Sequence, residues 1–202
     1  MLAQNMKILY LTNSRIPTER AHGLQIMKTL EALALRGEKV SLVVPRRKNT
    51  ITEDPFSFYN LRVRFPIAHL ANWLLPLESF SETVYFPLMR FFFGIESFLY
   101  GLFSTAEVLY TRDLILAFFL SLATSRQVVY EDHEPKKSNH WLYYFFLRHI
   151  KKKVVVAEHL EILYRERAID NFQCIPNGVD LDDFAHPQNK TLWHKEGITS
   201  GL

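Results

Sequence analysis

The sequence lacks several features that would place a protein in a class at once. Cys174 is the single cysteine among 202 residues, so no disulfide can form within the chain, and a lone thiol is typical of a reducing compartment. No uncharged apolar run approaches the roughly 18 residues of a membrane-spanning helix, and the first residues lack the basic start and apolar core of a signal peptide. We therefore expect a cytoplasmic protein.

The motifs of common cofactor, metal and nucleic-acid binders are missing as well. Neither the G-x-G-x-x-G pattern of dinucleotide-binding folds nor the P-loop pattern occurs, which disfavours a nicotinamide-dependent oxidoreductase. The net charge of +3 is too small to indicate nucleic acid as a partner. No second histidine stands at ligand spacing from His133, so we expect no metal and no other cofactor.

What the sequence does contain is an alternation of strand-like and helix-like segments. Residues 6–12 and 40–44 are short apolar runs, as in strands buried on both faces. Between them, residues 24–34 carry apolar side chains at helical spacing, and Gly37 suits the left-handed end of that helix. This alternation predicts an α/β fold with a Rossmann-like, doubly wound, mostly parallel sheet of about seven strands and helices on both faces.

The same patterns predict the remaining elements and the domain limits. Further strands are expected at 61–65, 108–112, 127–131, 153–157 and 172–176. Further helices are expected at 87–104 (opened by Pro87), 114–124, 139–150, 158–168 and 189–197. Residues 66–80 fit no single pattern. We assign residues 1–185 to one Rossmann-like domain and 186–202 to a linker or the start of another domain.

A charged loop follows the first strand and contains Arg15, Glu19, Arg20 and His22, directly before a helix that we expect to begin at Gly23. Sheets of this kind bind ligands beyond the carboxyl ends of their strands. A helix start attracts phosphate, and glycine there lets a ligand approach the backbone. The alternative is a solvated loop whose charges pair with one another, and spacing alone slightly favours it.

A second candidate site lies where the fifth predicted strand ends, in the run from Tyr130 to Glu134. Acids beside His133 would hold its ring, and a held imidazole can transfer a proton or hydrogen-bond a sugar hydroxyl. The alternative is a polar loop, but the position at the carboxyl end of a strand favours a functional role for His133 and Glu131. Arg112, which ends the fourth strand, either surfaces there or contacts the same ligand.

Two segments indicate a surface that could meet an anionic membrane. Residues 136–153 carry six Lys or Arg and no acid, interleaved with aromatic side chains. The predicted helix from Pro87 adds five phenylalanines. The alternative is ordinary core packing beside a solvated basic face, and it is the better interpretation of any single residue.

Several stretches together resemble family 4 glycosyltransferases of the GT-B fold. They are RIPTERAHGLQIMKTLEALALRGEKVSLVV, VLYTR, VVYEDHEP, VVVAEHL and IPNGVDLDDF, in this order. The resemblance covers roughly residues 6 to 185, with Ala157 at a position where many members have serine.

The resemblance implies two Rossmann-like domains around a cleft, the first binding the acceptor and the second the nucleotide-sugar donor. Members transfer a sugar with retention of configuration and need no metal. By this match His133 is the catalytic residue near the donor sugar, and Gly23 lies close to the donor phosphates. Arg15, Glu19 and Arg20 would line the cleft.

The resemblance also implies where the protein works in the cell, and it leaves three interpretations of the chain. Similar loops occur in bacterial enzymes that build cell-envelope polysaccharides on lipid-linked acceptors at the inner face of the membrane, which suits a peripheral membrane protein. The donor-binding domain lies outside these residues. The chain is then a fragment of a longer enzyme, a subunit completed by a separate donor-binding domain, or a remnant. We expect an acceptor-side half that is inactive alone; the alternative is a non-catalytic module that docks to a membrane or partner.

Overall fold

A computed structural model describes residues 5–71, 73, 76, 82–133 and 141–178. Over these residues the strands are β1 (Lys7–Leu11), β2 (Lys39–Pro45), β3 (Ile67–Leu70), β4 (Val108–Thr111), β5 (Gln127–Asp132), β6 (Lys152–Val155) and β7 (Phe172–Cys174). The helices are α1 (Ala21–Leu35), α2 (Pro55–Phe58), α3 (Glu82–Phe103), α4 (Leu114–Ala123), α5 (Trp141–His149) and α6 (Glu158–Glu166).

The seven strands form one sheet in the order β3-β2-β1-β4-β5-β6-β7, and every neighbouring pair is parallel. Helices α1 and α2 bury their apolar side chains against one face, whereas α3 to α6 bury theirs against the other. The predicted fold class, a Rossmann-like doubly wound sheet, is therefore confirmed.

The apolar runs form strands because helices cover both faces of the sheet, so side chains on either face of a strand are buried. In β1, Ile8 and Tyr10 lie in the cluster shared with α1, whereas Leu9 and Leu11 lie in the cluster on the other side. Successive side chains of a strand point to opposite faces, so a central strand must be apolar at every position.

Helix α1 begins at Ala21, two residues earlier than predicted, and Gly23 lies in its first turn. A Cβ atom on Gly23 would come within 2.4 Å of both Thr18 Cγ2 and the Tyr59 hydroxyl oxygen. Glycine is thus needed here so that the preceding loop can pack directly on the helix. At the other end Gly37 has a φ of +94°, the left-handed conformation that was predicted to stop the helix.

The prediction of a strand at 61–65 is wrong, because the edge strand β3 begins at Ile67. The alternation of apolar and basic residues has another cause. Arg62 donates its backbone N–H to the buried carboxylate of Glu31 on α1, and Phe65 lies in the buried cluster beneath that helix. Residues 61–65 are therefore fastened to the helical layer, and the chain reaches the sheet only afterwards.

The prediction that Pro87 opens a helix is also wrong, because α3 begins at Glu82. The apolar spacing extends back through Met89 to Tyr85, and both side chains are fully buried. Pro87 therefore lies inside α3, where it cannot donate a backbone hydrogen bond, and the burial of Tyr85 and Met89 outweighs that loss.

The short helix α2 was not predicted, and the remaining described elements lie within two residues of their predicted limits. Residues 139–140 of the predicted helix at 139–150, the predicted helix at 189–197 and the segment 186–202 lie outside the described residues.

Among the described helices, one segment of α3, Thr83–Phe103, is long and apolar enough to cross a membrane. The sequence predicted no such segment because only uncharged runs were considered, and the charged residues Arg90 and Glu96 interrupt this run. Only 22% of its most apolar 18-residue stretch is buried. A core helix of a soluble protein passes the same test, and α3 does pack on the sheet through Met89 and Phe93.

Candidate functional site

The sheet has its switch point between β1 and β4. Helix α1 leaves β1 toward one face, and α4 leaves β4 toward the other, which opens a crevice beyond the carboxyl ends of these strands. The predicted site residues lie around this crevice on three connections. They are Arg15, Glu19, Arg20 and Gly23 between β1 and the first turn of α1, Arg112 after β4, and Glu131 with His133 at the end of β5.

Glu131 is the centre of a hydrogen-bonded cluster in the crevice. Arg112 Nη2 donates to its Oε1 at 2.8 Å, and His133 Nε2 forms a hydrogen bond with the same oxygen. The Tyr10 hydroxyl donates to Oε2 at 3.4 Å. The Glu131 side chain is only 6% exposed. Three of the residues predicted for the site therefore come together: Arg112, Glu131 and His133.

The charge of Glu131 follows from these partners. Burial by itself raises the pKa of this carboxyl, but the hydrogen bond to His133 and the adjacent Arg112 guanidinium outweigh it and lower the pKa to about 2. The carboxylate is therefore ionised at neutral pH. It fixes the ring of His133 through one nitrogen, and an imidazole held in this way can offer its other nitrogen to a ligand hydroxyl.

Two stacked tyrosines form the floor under Glu131. The rings of Tyr10 and Tyr110 lie 4.9 Å apart between centroids. Burial and the nearby Glu131 charge raise the pKa of each hydroxyl well above its ordinary value, so both stay protonated and able to donate. This role could not be predicted, because a tyrosine within an apolar run resembles any other core residue.

His22, in the first turn of α1, lies within the electrostatic field of the Glu131 cluster. Burial lowers the pKa of His22, and the positive charges of Arg112, Arg20 and His133 lower it further. His22 is therefore a neutral hydrogen-bonding group at pH 7. It stood in the predicted loop, but only the fold shows that it lies in the electrostatic field of residues from β4 and β5.

A cavity of about 420 Å³ lies beside this cluster, at the ends of β1 and β2. We call it the cationic cavity. Its lining consists of Asn13, Ser14, Arg15, Thr18, Arg20, His22, Arg47, Lys48 and Phe86. None of these described lining residues is acidic. Arg47 and Lys48 were not predicted as site residues, because they stand in a polar stretch; the available signal was their position directly after β2.

Hydrogen bonds hold the two loops that form the cationic cavity. The Tyr59 hydroxyl accepts from the Thr18 N–H at 2.7 Å and donates to the Thr18 carbonyl at 2.8 Å. Asn49 Nδ2 donates to the Pro17 carbonyl at 2.8 Å. The loop after β1 is thus fastened on both sides, which fixes the position of the basic residues that it carries.

The predicted residues of the first loop have different surroundings. Arg15 and Glu19 form an ion pair at 3.3 Å, and Glu19 is 62% exposed, so this pair is the solvated arrangement that the sequence allowed. Arg20 is the N-cap residue of α1 and forms no capping hydrogen bond through its side chain. Gly23 is buried against Thr18, so packing accounts for it, and its closeness to donor phosphates stays a prediction.

A second cavity, of about 450 Å³, lies between α3 and α4 and reaches the end of β1. We call it the apolar groove. Its lining consists of Leu11, Thr12, Asn13, Arg90, Phe91, Phe93, Gly94, Ile95, Phe98, Asp113, Ile115, Leu116 and Phe119. Asn13 lines both this groove and the cationic cavity, so the two open at the same edge of the sheet.

The largest cavity found in the described residues, about 990 Å³, lies at the opposite end of the strands. Lys7 and Lys39, the first residues of β1 and β2, line it. Parallel α/β sheets bind ligands at the carboxyl ends of their strands, so we place the candidate site in the crevice in spite of the greater size of this cavity.

Two buried charged residues on β5 and β6, Asp132 and Lys153, have structural partners. Asp132 accepts hydrogen bonds from the hydroxyls of Tyr143 and Tyr164, the latter at 2.9 Å, inside the layer of α5 and α6. Lys153 donates to the Ile150 carbonyl at 2.6 Å, and burial lowers its pKa to about 8. Within the described part of the chain, no three metal-binding side chains lie close enough to hold an ion.

Comparison with known proteins relates this fold to glycosyltransferases. A crystal structure of a glycosyltransferase from Rickettsia africae ESF-5 is similar, with a TM-score of 0.55, 14% identity, and coverage of 98% of this chain and 51% of that chain. A structure described as "Trehalose-6-phosphate from E. coli bound with UDP-2-fluoro glucose" has a TM-score of 0.54, 12% identity, and coverage of 95% and 54%. The chain thus spans about half the length of these proteins.

Sequence comparison adds no closer assignment. No family profile matches the chain, and no curated protein sequence matches it either. At 12 to 14% identity the structural similarity establishes the fold, and membership of family 4 stays a prediction.

Proposed function

We propose that this chain is the acceptor-side half of a family 4, GT-B glycosyltransferase, which moves a sugar from a nucleotide-sugar to a carbohydrate or lipid-linked acceptor with retention of configuration. The observation that carries the proposal is the Glu131 cluster, in which a buried, ionised carboxylate fixes His133 at the switch point of the sheet. The similarity of the fold to half of a glycosyltransferase chain supports it.

Each predicted residue has a role in this proposal. His133 contacts the donor sugar at the reacting centre, and Glu131 holds its ring in position. Arg112 helps to keep Glu131 ionised, and it also contacts the ligand directly. Gly23 and the loop with Arg15, Glu19 and Arg20 form the wall of the cleft that the donor domain would face.

The proposal implies that the chain alone transfers little or no sugar. Such a reaction depends on groups positioned around the charge that develops as the sugar–phosphate bond breaks, and one wall of a cleft holds only part of them. A second domain, from the same polypeptide or from a separate subunit, would bind the nucleotide-sugar. Neither a metal nor another cofactor has a role in this proposal.

The proposal can be tested by transfer from nucleotide-sugars, using the native protein purified from its own cells together with whatever accompanies it. We expect His133→Gln to lower the rate at least about 100-fold, since a positioned histidine contributes about that much to such steps. His159→Gln is the matched control, because His159 is exposed on α6. Equal rates for the two variants, or no transfer with any nucleotide-sugar, would contradict the proposal.

The mass of the native protein separates the three alternatives for the donor domain. A species well above 23.8 kDa that contains this sequence indicates a longer two-domain enzyme. A chain of 23.8 kDa with a donor-domain partner indicates a split enzyme, and the same chain alone favours a binding module or a remnant.

A second candidate function, peripheral attachment to the inner face of a membrane, is favoured by one observation. Adjacent helices α3, α4 and α5 expose large apolar side chains away from the sheet, among them Phe103 at 80% and Trp141 at 74%. Lys151 and Lys152 are exposed just after α5. An apolar face with basic residues beside it matches the boundary of an anionic bilayer.

Flotation with vesicles tests this attachment. We expect the chain to float with vesicles that contain phosphatidylserine, and Lys151→Glu with Lys152→Glu to reduce the bound fraction several-fold. Lys153 is excluded from the variant because it is buried. The control changes Lys39, which is exposed at the far end of the sheet, to Glu. Absence of flotation, or equal loss in both variants, would remove this candidate.

A further inference from the structure

We propose that the apolar groove binds the hydrocarbon chain of an amphiphilic acceptor and directs the polar head of that molecule toward His133. The assignment of the chain to the acceptor rests on the proposed function, whereas the chain-binding site rests on the groove itself. Membrane attachment concerns the outward faces of three helices, whereas this site lies between two of them, α3 and α4.

The groove has the size and the surface of a site for a single hydrocarbon chain. Apolar side chains of α3 and α4 form most of its walls, and Leu11, Phe93 and Leu116 are the buried apolar part of the lining. An apolar cavity of about 150 Å³ takes up one benzene molecule, so a groove of about 450 Å³ has room for about 18 carbon atoms. Each methylene that moves from water into such surroundings favours binding.

The rim of the groove is apolar and exposed. Four large side chains of the lining are each at least 43% exposed: Phe91, Ile95, Ile115 and Phe119. A single exposed apolar side chain is ordinary, but a contiguous group around a concave surface is typical of a ligand or partner site. A flexible chain fits a narrow concave surface better than a flat protein face does.

Gly94 gives an independent indication that the open space in the groove has a use. It lies inside α3, where glycine destabilises a helix relative to alanine. A Cβ atom at Gly94 would meet no atom within 4 Å, whereas one at Gly23 would meet atoms at 2.4 Å. Close packing therefore accounts for Gly23 and does not account for Gly94. The missing side chain widens the groove, and a bound chain gains that space.

The groove is polar at one end and apolar at the other, which matches an amphiphile. The Tyr85 hydroxyl donates to the Arg46 carbonyl, just beyond β2, whereas Phe103 lines the cavity at the opposite end of the strands. Helix α3 thus runs away from the carboxyl edge of the sheet, and Arg90 lies nearer this edge than Phe98 by about 12 Å. The other polar lining residues follow β1 and β4 at the same edge: Thr12, Asn13 and Asp113.

The polar end of the groove adjoins the Glu131 cluster. Asp113, which caps α4, directly follows Arg112, whose guanidinium donates to Glu131 at 2.8 Å. Strands β4 and β5 are neighbours, so their ends lie about 4.8 Å apart. A polar head beside Asp113 therefore lies close to His133 while the chain extends between the two helices.

A hydrocarbon chain fits the groove better than a peptide segment does. An extended peptide would bring backbone N–H and C=O groups to the apolar end, where burial without partners is costly. A hydrocarbon chain carries no such groups. The wall formed by α3 belongs to the segment Thr83–Phe103, which is apolar enough to lie in a bilayer, so a lipid chain can enter without crossing water.

The first experiment measures the binding of n-alkyl glucosides to the 202-residue chain by NMR titration, below their critical micelle concentrations. We expect the affinity to rise about threefold for each methylene added between hexyl and nonyl glucoside. Gly94→Leu should weaken the binding of octyl glucoside at least about tenfold, because the new side chain takes the space of several carbons.

Gly178→Leu is the matched control, since a Cβ atom there also meets no atom within 4 Å and Gly178 lies outside the groove. It should leave the binding of octyl glucoside unchanged. An affinity that does not depend on chain length, or equal weakening by both variants, would overturn the proposal.

A second pair of variants does not depend on filling the groove. Ile115 on α4 and Ile162 on α6 are similarly exposed, and only Ile115 lines the groove. We expect Ile115→Glu to weaken the binding of octyl glucoside about tenfold and Ile162→Glu to leave it unchanged. Thermal unfolding checks that each variant is folded. Equal effects would show adhesion to apolar surface in general, which overturns the proposal.

Photochemical labelling locates the chain. Octyl glucoside that carries a diazirine at the end of its chain should label the apolar end of the groove, at Phe98 or Phe119. Label confined to the exposed side chains of α5, such as Trp141 and Phe145, would place the chain outside the groove and would overturn the proposal.

The product of sugar transfer tests the assignment to the acceptor. With the native protein, labelled nucleotide-sugars and a lipid extract of its own cells, we expect a labelled product that partitions into butanol. Gly94→Leu should lower the rate about tenfold, and Gly178→Leu should not. A water-soluble product would overturn the inference and leave the proposed function standing. Saturable binding of octyl glucoside without transfer from any nucleotide-sugar would leave the chain site standing and the proposed function wrong.

Discussion

Glu131 and Asp132 are neighbouring buried carboxylates on β5 with opposite surroundings. Glu131 points to the α1 side, where it meets a cation and a histidine in a crevice that opens to solvent. Asp132 points to the other side, where two tyrosine hydroxyls enclose it in a closed core. In the sequence both belong to one acidic run. In the strand they point to opposite faces of the sheet, because adjacent side chains alternate.

The difference shows which buried acids are candidates for function. Asp132 is 4% exposed and accepts from two neutral donors, the hydroxyls of Tyr143 and Tyr164. Charged partners hold Glu131 ionised at the switch point, where a second molecule can reach His133. Burial and proximity to a motif do not distinguish these two residues, whereas their partners do.

The largest effect that would test this comparison is expected at Asp132. Replacement by alanine leaves the hydroxyls of Tyr143 and Tyr164 buried without their acceptor, and we expect it to lower the free energy of unfolding by about 4 kcal/mol. Urea denaturation measures the change, and Asp170→Ala, at an exposed position, should change stability by less than about 0.5 kcal/mol. A loss as small as that of the control would show that Asp132 is not a structural anchor.

Glu131→Gln should produce a smaller loss that depends on pH. A pKa lowered from 4.5 to about 2 corresponds to about 3 kcal/mol of stability that is present above pH 4.5 and is lost as the pH falls toward 2. The difference in unfolding free energy between the wild type and Glu131→Gln should therefore shrink from pH 6 to pH 3. A difference that stays constant over this range would mean that the charge of Glu131 is not what its partners stabilise.

The smallest effects are expected at two glycines, one on each side of the sheet. Gly23→Ala inserts a Cβ atom within 2.4 Å of Thr18 and Tyr59, and we expect a loss of about 2 kcal/mol. Gly94→Ala, in α3, meets no atom within 4 Å and should stabilise the protein by about 0.5 kcal/mol, since alanine favours a helix. Thermal unfolding measures both changes, and changes of the same sign would contradict the close packing that we assign to the site's loop.

Much of the fold could be predicted from the sequence because its central strands are apolar on both faces. The edge strand could not, since the alternation at 61–65 reflects contacts with α1 instead of a sheet. Periodicity reports which side chains are buried, and it does not report the layer against which they are buried. The same limit explains the helix start at Pro87, where burial of Tyr85 extends the helix back by more than one turn.

The candidate site was predictable where charged side chains or a histidine lie at the end of a strand. Arg112, Glu131 and His133 follow apolar runs, so their convergence at one edge follows from parallel pairing. Tyr10 could not be predicted, because a core tyrosine gives no separate signal, and Arg47 could not, because its loop resembles any polar connection. These residues become visible only when the neighbours of each strand are known.

The pairing of β1 with β4 has a consequence for how the molecule reaches its native state. Every other neighbouring pair joins strands that follow one another in the chain, whereas here Ile8 lies opposite Val108. Contacts between residues that are far apart in the sequence form late in folding. We therefore expect β1–β3 and β4–β7 to form as local units before they join. Because the crevice takes its residues from both units, a partly folded chain can hold nearly all of its secondary structure and still have no site.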